Sequence, residues 1–448
     1  MRNMRMPGTC AAVFASVVIA AASWPAAGVQ AAVASAGQRS AAHSALGPPG
    51  ASAVPIPAGL PGLQAVLRGN PAAARAVPGS GILEGVYCTS RKNCWAVGER
   101  FTAKAALNQV LRWKGTSWNE VAAPNPGGSS AGGLSGLAGV RCLTAGNCWA
   151  VGEYAKHGAL LSETLHWNGK KWSHVATPAT GGHHTGDVTE LIDVTCTAAA
   201  SCWAVGDFGK FTGSVMNPSP VKMQNLVLHW NGSKWSRVST PEPAGTSSGR
   251  TNSLFGVRCV SRANCTAVGD YGTIGSSAVL RNEALHWNGS KWSKVHTPNP
   301  GGSAATHVSE LAAIGCGSSA SCFAVGQYGT ESTSHDQILR WNGKHWTKAG
   351  APDPAGGQLI GVMCVTAHYC WAVGNVGSGS LTVRNQAVHW NGKKWSVIHT
   401  PNPGSGLDVL IAVRCTSATN CWAVGLQEAA GTVQDEILHW DGAKWSVA

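Results

Sequence analysis

The stretch LAGVRCLTAGNCWAVG at residues 137–152, followed by LHWNGKKW at residues 165–172, is one copy of a unit that occurs seven times. Each copy has Leu five positions before its first Cys and Val or Ile two positions before it. Cys-x5-Cys-x-Ala-Val-Gly and then Trp-x-Gly-x-x-Trp follow. The copies begin near residues 83, 137, 191, 254, 311, 359 and 410. Self-similarity over this length predicts one repeat domain.

The unit is typical of four β-strands. The spacing of two between Val and Cys predicts a first strand, and the β-branched and aromatic run after the second Cys predicts a second strand, with the cysteines facing each other across a hairpin. Asn-Gly or Asp-Gly between two aromatic arms predicts another hairpin. Seven such units predict an all-β fold, a seven-bladed β-propeller of four-stranded antiparallel blades with one disulfide per blade.

An open array of disulfide-bonded modules is the alternative architecture. An open array needs a polar capping repeat, and the last unit ends at Ala448 directly after its fourth predicted strand. A closed ring is therefore favoured, and we expect it to close without exchanging a strand between the termini. The paired tryptophans of each unit are expected to supply apolar contacts between neighbouring blades.

Fourteen of the fifteen cysteines form one regular pair in each unit. The pairs are Cys88 and Cys94, Cys142 and Cys148, Cys196 and Cys202, Cys259 and Cys265, Cys316 and Cys322, Cys364 and Cys370, and Cys415 and Cys421. Disulfides are favoured over zinc because the spacing is long for a zinc knuckle and no regular second pair of ligands is present. Disulfides indicate an oxidising compartment, and no cofactor is expected.

The sequence before the repeats predicts export. Residues 1–36 combine two arginines, a short apolar stretch and small residues, which is typical of a secretory signal that removes the odd Cys10. Residues 37–80, rich in Ala, Gly, Pro and Ser, predict a linker, and residues 81–448 the propeller. We expect a secreted protein, extracellular or associated with the cell surface.

The formal net charge is +12, and part of the positive charge lies in the Trp-x-Gly-x-x-Trp turns. Nine lysines lie there: Lys114, Lys170, Lys171, Lys234, Lys291, Lys344, Lys393, Lys394 and Lys444. They could meet anionic cell-surface polymers or form a solvated face that keeps the protein soluble. The expected partner is an unknown protein or an extracellular polysaccharide, with no nucleic acid and no membrane insertion, and the protein is expected to be a monomer.

The repeat resembles those of kelch-type propellers and of Asp-box propellers, including the photosystem II assembly-factor family. The resemblance rests on Leu-x-x-Val-x-Cys, Trp-Ala-Val-Gly and Trp-Asn-Gly-x-x-Trp over residues 83–448. The units lack the Asp box and the kelch double glycine, and their cysteines are additional. The resemblance implies the fold, while the related families include hydrolases, oxidases, lectins and assembly factors.

Residues that recur in all units are most simply explained by the fold. This applies to the polar residues after Ala-Val-Gly, to the Asn, Asp, Glu and Gln pairs before Leu-His-Trp, and to the histidines of that motif. We expect the polar residues to hydrogen-bond loops within each blade. Two segments vary instead, one after Ala-Val-Gly and one after Thr-Pro-Asn-Pro-Gly-Gly. Both are expected to lie on the same face of the propeller, which we call the variable-loop face. We expect the ligand to bind there, because scaffold loops commonly carry recognition.

Two groups of residues are candidate binding residues. Phe208, Lys210 and Phe211 begin the longest excursion, residues 208–224, which could form a lid or an ordinary surface insertion. Arg141, Arg258 and Arg414 share one position on the first strands, where they could hold a carboxylate or sulfate, pack between blades, or be solvated in the channel.

His183, His184, Asp187 and Glu190 have the composition of a metal site, although adjacent histidines rarely reach one ion. No catalytic residue or metal ligand is therefore predicted. The leading hypothesis is a secreted, non-enzymatic binding or scaffolding propeller with its ligand on the variable-loop face. The alternative is a lectin or a divergent glycoside hydrolase.

Overall fold

The computed structural model describes residues 80–448, except 215–216, 275–277, 331–332, 355 and 378–381. The predicted signal segment and almost all of the predicted linker lie outside the described residues. Twenty-eight strands and no helix are present in the described part. Accordingly, no helix there is long and apolar enough to span a bilayer.

The strands fall into seven blades of four, which we number along the chain. Blades 1 and 2 contain β1 (Gly81–Ser90), β2 (Asn93–Phe101), β3 (Ala106–Trp113) and β4 (Trp118–Glu120), and then β5 (Ser135–Thr144), β6 (Asn147–Lys156), β7 (Ala159–Trp167) and β8 (Trp172–His174). Blades 3 and 4 contain β9 (Asp187–Ala198), β10 (Ser201–Ser214), β11 (Asn217–Trp230) and β12 (Trp235–Arg237), and then β13 (Arg250–Ser261), β14 (Asn264–Thr273), β15 (Leu280–Trp287) and β16 (Trp292–Lys294).

Blades 5 to 7 repeat the same order. They contain β17 (Val308–Ser318), β18 (Ser321–Thr330), β19 (Thr333–Trp341) and β20 (Trp346–Lys348); β21 (Gly357–Thr366), β22 (Tyr369–Val376), β23 (Arg384–Trp390) and β24 (Trp395–Val397); and β25 (Asp408–Ser417), β26 (Asn420–Ala429), β27 (Thr432–Trp440) and β28 (Trp445–Val447).

Each blade is an antiparallel sheet in which sequential strands are neighbours. Blades 2 and 3 are joined into one eight-stranded sheet by a single parallel bridge between Leu160 and Val188. Each blade consists of consecutive strands of one repeat, so within residues 80–448 the first and last blades exchange no strand. The predicted all-β propeller of four-stranded blades is confirmed.

The predicted disulfides are also confirmed, one in each blade. Cys88 lies directly opposite Cys94 in the β1–β2 hairpin, and the same pairing recurs in every blade, with Cα–Cα distances of 3.9–4.0 Å. Because each bond closes a loop of seven residues, it stabilises the fold by about 2 kcal/mol through the unfolded chain.

The glycine of Ala-Val-Gly recurs because no side chain fits there. A Cβ built on Gly269 would lie 1.9 Å from the carbonyl oxygen of Ser253 on β13, and the glycines at this position in the other blades face a carbonyl at 1.9–2.1 Å. The first strand bulges beside this contact, between Leu254 and Gly256. The close approach of two backbones therefore explains the glycine in every unit.

Tryptophans connect the blades, as the sequence predicts. The ring that follows the second Cys of one blade contacts both tryptophans of the next blade's outer hairpin. Trp95, for example, lies 4.9 Å from Trp167 and 5.2 Å from Trp172 between ring centroids. Thr266 occupies the equivalent position in blade 4, so the junction between blades 4 and 5 lacks the third ring.

The same contacts close the ring between the last and first blades. Trp422 of blade 7 lies 4.7 Å from Trp113 and 5.1 Å from Trp118 of blade 1. The Gln109 amide donates to Asp435 across this junction at 2.6 Å. Blade 7 therefore meets blade 1 through the same types of contact that join the other blades.

Strand direction gives the ring two different faces. The variable-loop face carries the connections between second and third strands and between successive blades. The opposite face, which we call the hairpin face, carries the seven disulfide hairpins and the seven Trp-x-Gly-x-x-Trp turns. The first strands lie innermost and line a channel between the two faces.

Candidate functional site

The axial channel contains two adjoining cavities, and all seven first strands contribute to the wall of each. A cavity of about 1010 Å³ lies toward the variable-loop face, and one of about 560 Å³ lies toward the hairpin face. Their common wall consists of the apolar residues Val86, Val140, Ile314, Val362 and Val413, together with Asp193. The two ends of the channel differ in charge.

At the hairpin end, the residue before the first Cys of each blade faces the channel. In ring order these residues are Tyr87, Arg141, Thr195, Arg258, Gly315, Met363 and Arg414. The structure therefore brings the three predicted arginines into one cavity. They come from blades 2, 4 and 7, which are far apart in the chain.

Tyr87 is the centre of this cluster. The Arg414 guanidinium lies 4.2 Å from the centroid of the Tyr87 ring and donates to the Tyr87 hydroxyl at 3.1 Å. The Arg141 guanidinium lies 4.6 Å from the same centroid. Two cations thus share one aromatic ring, and the Nε atoms of both arginines are buried without a hydrogen-bond partner.

Asp193 is the acid that lies beside this cluster, and it offsets only part of the positive charge. Its carboxylate accepts from the backbone N–H groups of Val194 at 2.7 Å and Val257 at 2.8 Å. Burial raises the pKa of Asp193 to about 6, against the lowering effect of these hydrogen bonds and of two arginines. Burial, followed by repulsion from Arg141 and Arg414, lowers the pKa of Arg258 to about 9. The mutual repulsion of the arginines leaves an anion-accepting site.

At the variable-loop end the channel wall is acidic. Glu84 is half-buried and lines the larger cavity together with the buried Glu310. Buried Glu190 contacts Glu153 of blade 2 and Asp207 of its own blade. Burial is the main cause that raises the pKa of Glu84, Glu153, Asp207 and Glu310. They therefore keep their protons to higher pH than free Glu or Asp.

Polar pairs on the third strands join neighbouring blades. The Asn108 amide donates to Glu163 of blade 2 at 2.7 Å and also to the Pro124 carbonyl of its own blade at 2.7 Å. Corresponding contacts are Asn225 with Glu283, Asn282 with Gln337, Gln386 with Asp336, Asn385 with Glu436, and Gln109 with Asp435. The sequence predicted bonds to loops within a blade, and the structure adds contacts between blades.

The predicted lid is a two-stranded extension of blade 3, in which Phe211 pairs with Pro220. Phe208 and Phe211 are 7% and 5% exposed, and Phe208 lies under the Arg237 guanidinium at 4.2 Å. Lys210 forms an ion pair with buried Asp187 at 2.5 Å. These residues are separate from the arginine cluster, and a ligand for them remains a prediction.

The other metal-like and histidine motifs occupy structural positions. The His184 N–H donates to Asp187, whose second oxygen binds Lys210, whereas Glu190 lies among the channel carboxyls. His166 contacts the Asn147 side chain at 3.0 Å and stacks near Trp149. Within the described ranges, no group of three His, Cys, Asp or Glu side chains is arranged to hold a metal ion.

Tyr87, Asp193 and Glu84 were not predicted from the sequence as channel residues. Tyr87 has a usable signal, since it occupies the same position before the first Cys as the three arginines. Asp193 and Glu84 are not repeated and have no such signal.

Comparison with known proteins supports the fold. No family model matches the chain, and no curated protein matches it. Among solved structures, the ulvan lyase described as a new family of polysaccharide lyase has 9% identity and a TM-score of 0.50 over 84% of this chain and 98% of that chain. YCF48 from Cyanidioschyzon merolae has 15% identity and a TM-score of 0.46 over 82% and 97%.

A fucose-specific lectin from Aleuria aurantia is also similar, at 12% identity and a TM-score of 0.38 over 68% of this chain and 91% of that one. At these identities the likeness bears on the fold alone. The closed ring of four-stranded blades makes the chain a β-propeller, built from the repeats that the sequence predicts. Its seven disulfides indicate an oxidising, extracellular environment.

Proposed function

We propose that this protein is a secreted, non-enzymatic binding propeller whose ligand presents a carboxylate or sulfate to Arg141, Arg258 and Arg414. The observation that carries the proposal is the convergence of three guanidinium groups around Tyr87, with Asp193 as the acid beside them. Guanidinium groups match the geometry of planar and tetrahedral oxyanions.

The position of Arg258 supports the proposal. Arg258 lines both the channel cavity that holds the arginine cluster and an open groove between the disulfide hairpins of blades 4 and 5. The proposal therefore puts the ligand on the hairpin face, rather than on the variable-loop face expected from the sequence.

The chemistry of the channel favours binding over catalysis. A glycoside hydrolase needs two carboxyl groups with different roles, one protonated and one ionised. Burial raises the pKa of both Glu84 and Glu310, which line the larger cavity, so these two acids are not divided into such roles.

The test is titration calorimetry with glucuronate and glucose 6-sulfate, and with glucose as the neutral reference. We expect glucuronate and glucose 6-sulfate to bind and glucose not to bind. Because Arg414→Gln removes a charge-assisted hydrogen bond, it should weaken binding about tenfold, and Arg141→Gln should act in the same direction. Arg281→Gln, at an exposed position toward the other face, is the matched control. Equal binding by the variants and the parent protein would refute the proposal.

A divergent glycoside hydrolase is the second candidate, favoured by one observation. Glu84 is a half-buried carboxyl with a raised pKa that faces a large cavity, as a general acid would. The test is release of reducing ends from acidic and neutral polysaccharides. Turnover abolished by Glu84→Gln would establish this candidate, and the absence of turnover would exclude it for those substrates.

A further inference from the structure

The hairpin face carries a basic surface around the mouth of the channel. The nine lysines of the Trp-x-Gly-x-x-Trp turns are all exposed on this face. Arg91, Lys92 and Arg262, in the disulfide hairpins of blades 1 and 4, are exposed on the same face. These twelve residues surround the end of the channel at which Arg141, Arg258 and Arg414 converge. We call them the basic rim.

The positive charge of the basic rim is not neutralised by neighbouring acids. In the described part of the chain, the four ion pairs are Arg100–Glu120, Lys210–Asp187, His335–Asp353 and Arg384–Asp408, and none of them includes a rim residue. The acid in the outer turns is Asp441, whose carboxylate accepts from the backbone N–H groups of Ala443 and Lys444 and is also attracted by the positive charge of Lys444. A surface on which cations outnumber acids to this extent attracts an extended polyanion.

The aromatic residues of the turns indicate which class of polyanion fits. The second tryptophan of most turns is buried against the neighbouring blade; Trp172 and Trp395, for example, are 4% and 5% exposed. These rings are therefore not available as stacking platforms for nucleic-acid bases. The first tryptophans of four turns, Trp113, Trp230, Trp287 and Trp341, are half-buried. Charge is therefore the main feature of this surface, and the disulfides indicate an oxidising, extracellular environment, in which acidic polysaccharides occur.

We infer that the hairpin face is a binding surface for an acidic polysaccharide, which lies across the basic rim and places one acid group among the three channel arginines. This inference deepens the proposed function and rests on it for the central contact. The rim supplies a second, independent part of the binding energy, because exposed lysines act through summed, salt-dependent attraction rather than through one fixed geometry.

The experiment measures binding of the mature protein to polygalacturonate, dextran sulfate and neutral dextran at low and high salt. The rim variant replaces Lys170, Lys171, Lys393 and Lys394 with Ser, the residue that blades 3 and 4 already carry as Ser233 and Ser290 at the first of the two turn positions. The control variant removes the same charge from the other face through Lys104→Gln, Lys156→Gln, Arg250→Gln and Arg281→Gln, all at exposed positions.

We expect both anionic polymers to bind, with an affinity that falls steeply as the salt concentration rises. Neutral dextran should not bind. The rim variant should lose roughly tenfold or more in affinity, given about 1 kcal/mol per surface cation near an anionic surface, and its salt dependence should be shallower. The control variant should bind within about twofold of the parent. Equal losses in the two variants would overturn the inference, because net charge alone would then explain binding.

The remaining outcomes separate this inference from the proposed function. If glucuronate binds and Arg414→Gln abolishes that binding, but polygalacturonate binds no more tightly than glucuronate, the arginine site stands and the basic rim is refuted. If the polymers depend on the rim while Arg414→Gln changes nothing, the proposed central site is wrong. Tighter binding to a DNA duplex than to both polysaccharides at equal salt would contradict the assigned ligand class.

Discussion

Toward the variable-loop face, the buried acids are bonded to a cation or lie beside one another, whereas at the hairpin face exposed cations outnumber their acid partners. Lys210 forms an ion pair with Asp187, and Glu190 forms side-chain hydrogen bonds with neighbouring carboxyl groups. At the other end of the same channel, two arginines share the ring of Tyr87 and retain unpartnered Nε atoms. The paired charges toward the variable-loop face serve the fold, whereas the positive charge at the hairpin end is available to a ligand.

The cross-links follow the same division, because all seven disulfides belong to the hairpin face. Since each closed loop contributes about 2 kcal/mol, reduction of all seven should lower the free energy of unfolding by on the order of 10 kcal/mol. Guanidinium unfolding of oxidised and fully reduced protein, with thiols counted by mass spectrometry, would measure this. Coincident unfolding curves would show that the hairpins do not depend on their cross-links.

A smaller effect is expected from the inner half of a blade, where backbones touch. Gly269→Ala would put a methyl group 1.9 Å from the Ser253 carbonyl oxygen, so it should destabilise the protein by about 3 kcal/mol. Gly350→Ala is the control, because a Cβ at Gly350 meets nothing within 4 Å. Thermal unfolding would compare the two, and equal melting temperatures would contradict the close-approach explanation.

The last effect is a dependence of stability on pH, and it concerns the buried acids that join blades. Burial raises the pKa of Glu436 to about 8 and that of Asp435 to about 7, whereas in the unfolded chain both lie near 4. The folded protein then binds more protons, so stability is fully present below pH of about 4 and declines as pH rises toward 8. Tm should fall between pH 5 and pH 9.

Glu436→Gln keeps an uncharged partner for Asn385 and should make that decline shallower, with the exposed Glu120→Gln as the control. A steeper decline in the Gln variant, or no dependence of Tm on pH in the parent protein, would show that these carboxyls are ionised in the folded state.

The periodic features were predictable from the sequence. The blades, the disulfides and the tryptophan contacts follow from spacings that recur in every unit. Residues 208–224 were predicted to be a variable excursion that forms a lid or a surface insertion, and the structure instead extends β10 and β11 through them. Pro218 and Pro220 lie on β11 in this extension, and prolines are tolerated at the edge of a sheet. Phe208 and Phe211 are buried.

The arginine site was only partly predictable. Arg141, Arg258 and Arg414 share a position that propellers direct into the channel, so their candidacy was visible from the repeat. Their common partner Tyr87 depends on closure of blade 7 against blade 1, and Asp193 has no counterpart in the other repeats. Contacts between non-repeated residues on different blades appear only when the ring is closed.

The most direct measurement is a structure of the mature protein with trigalacturonate. We expect a carboxylate of the sugar to be bound by Arg141, Arg258 and Arg414 beside Tyr87, with the remaining sugars extending onto the hairpin face. A trisaccharide bound on the variable-loop face beside Glu84, with the arginine cluster empty, would contradict it.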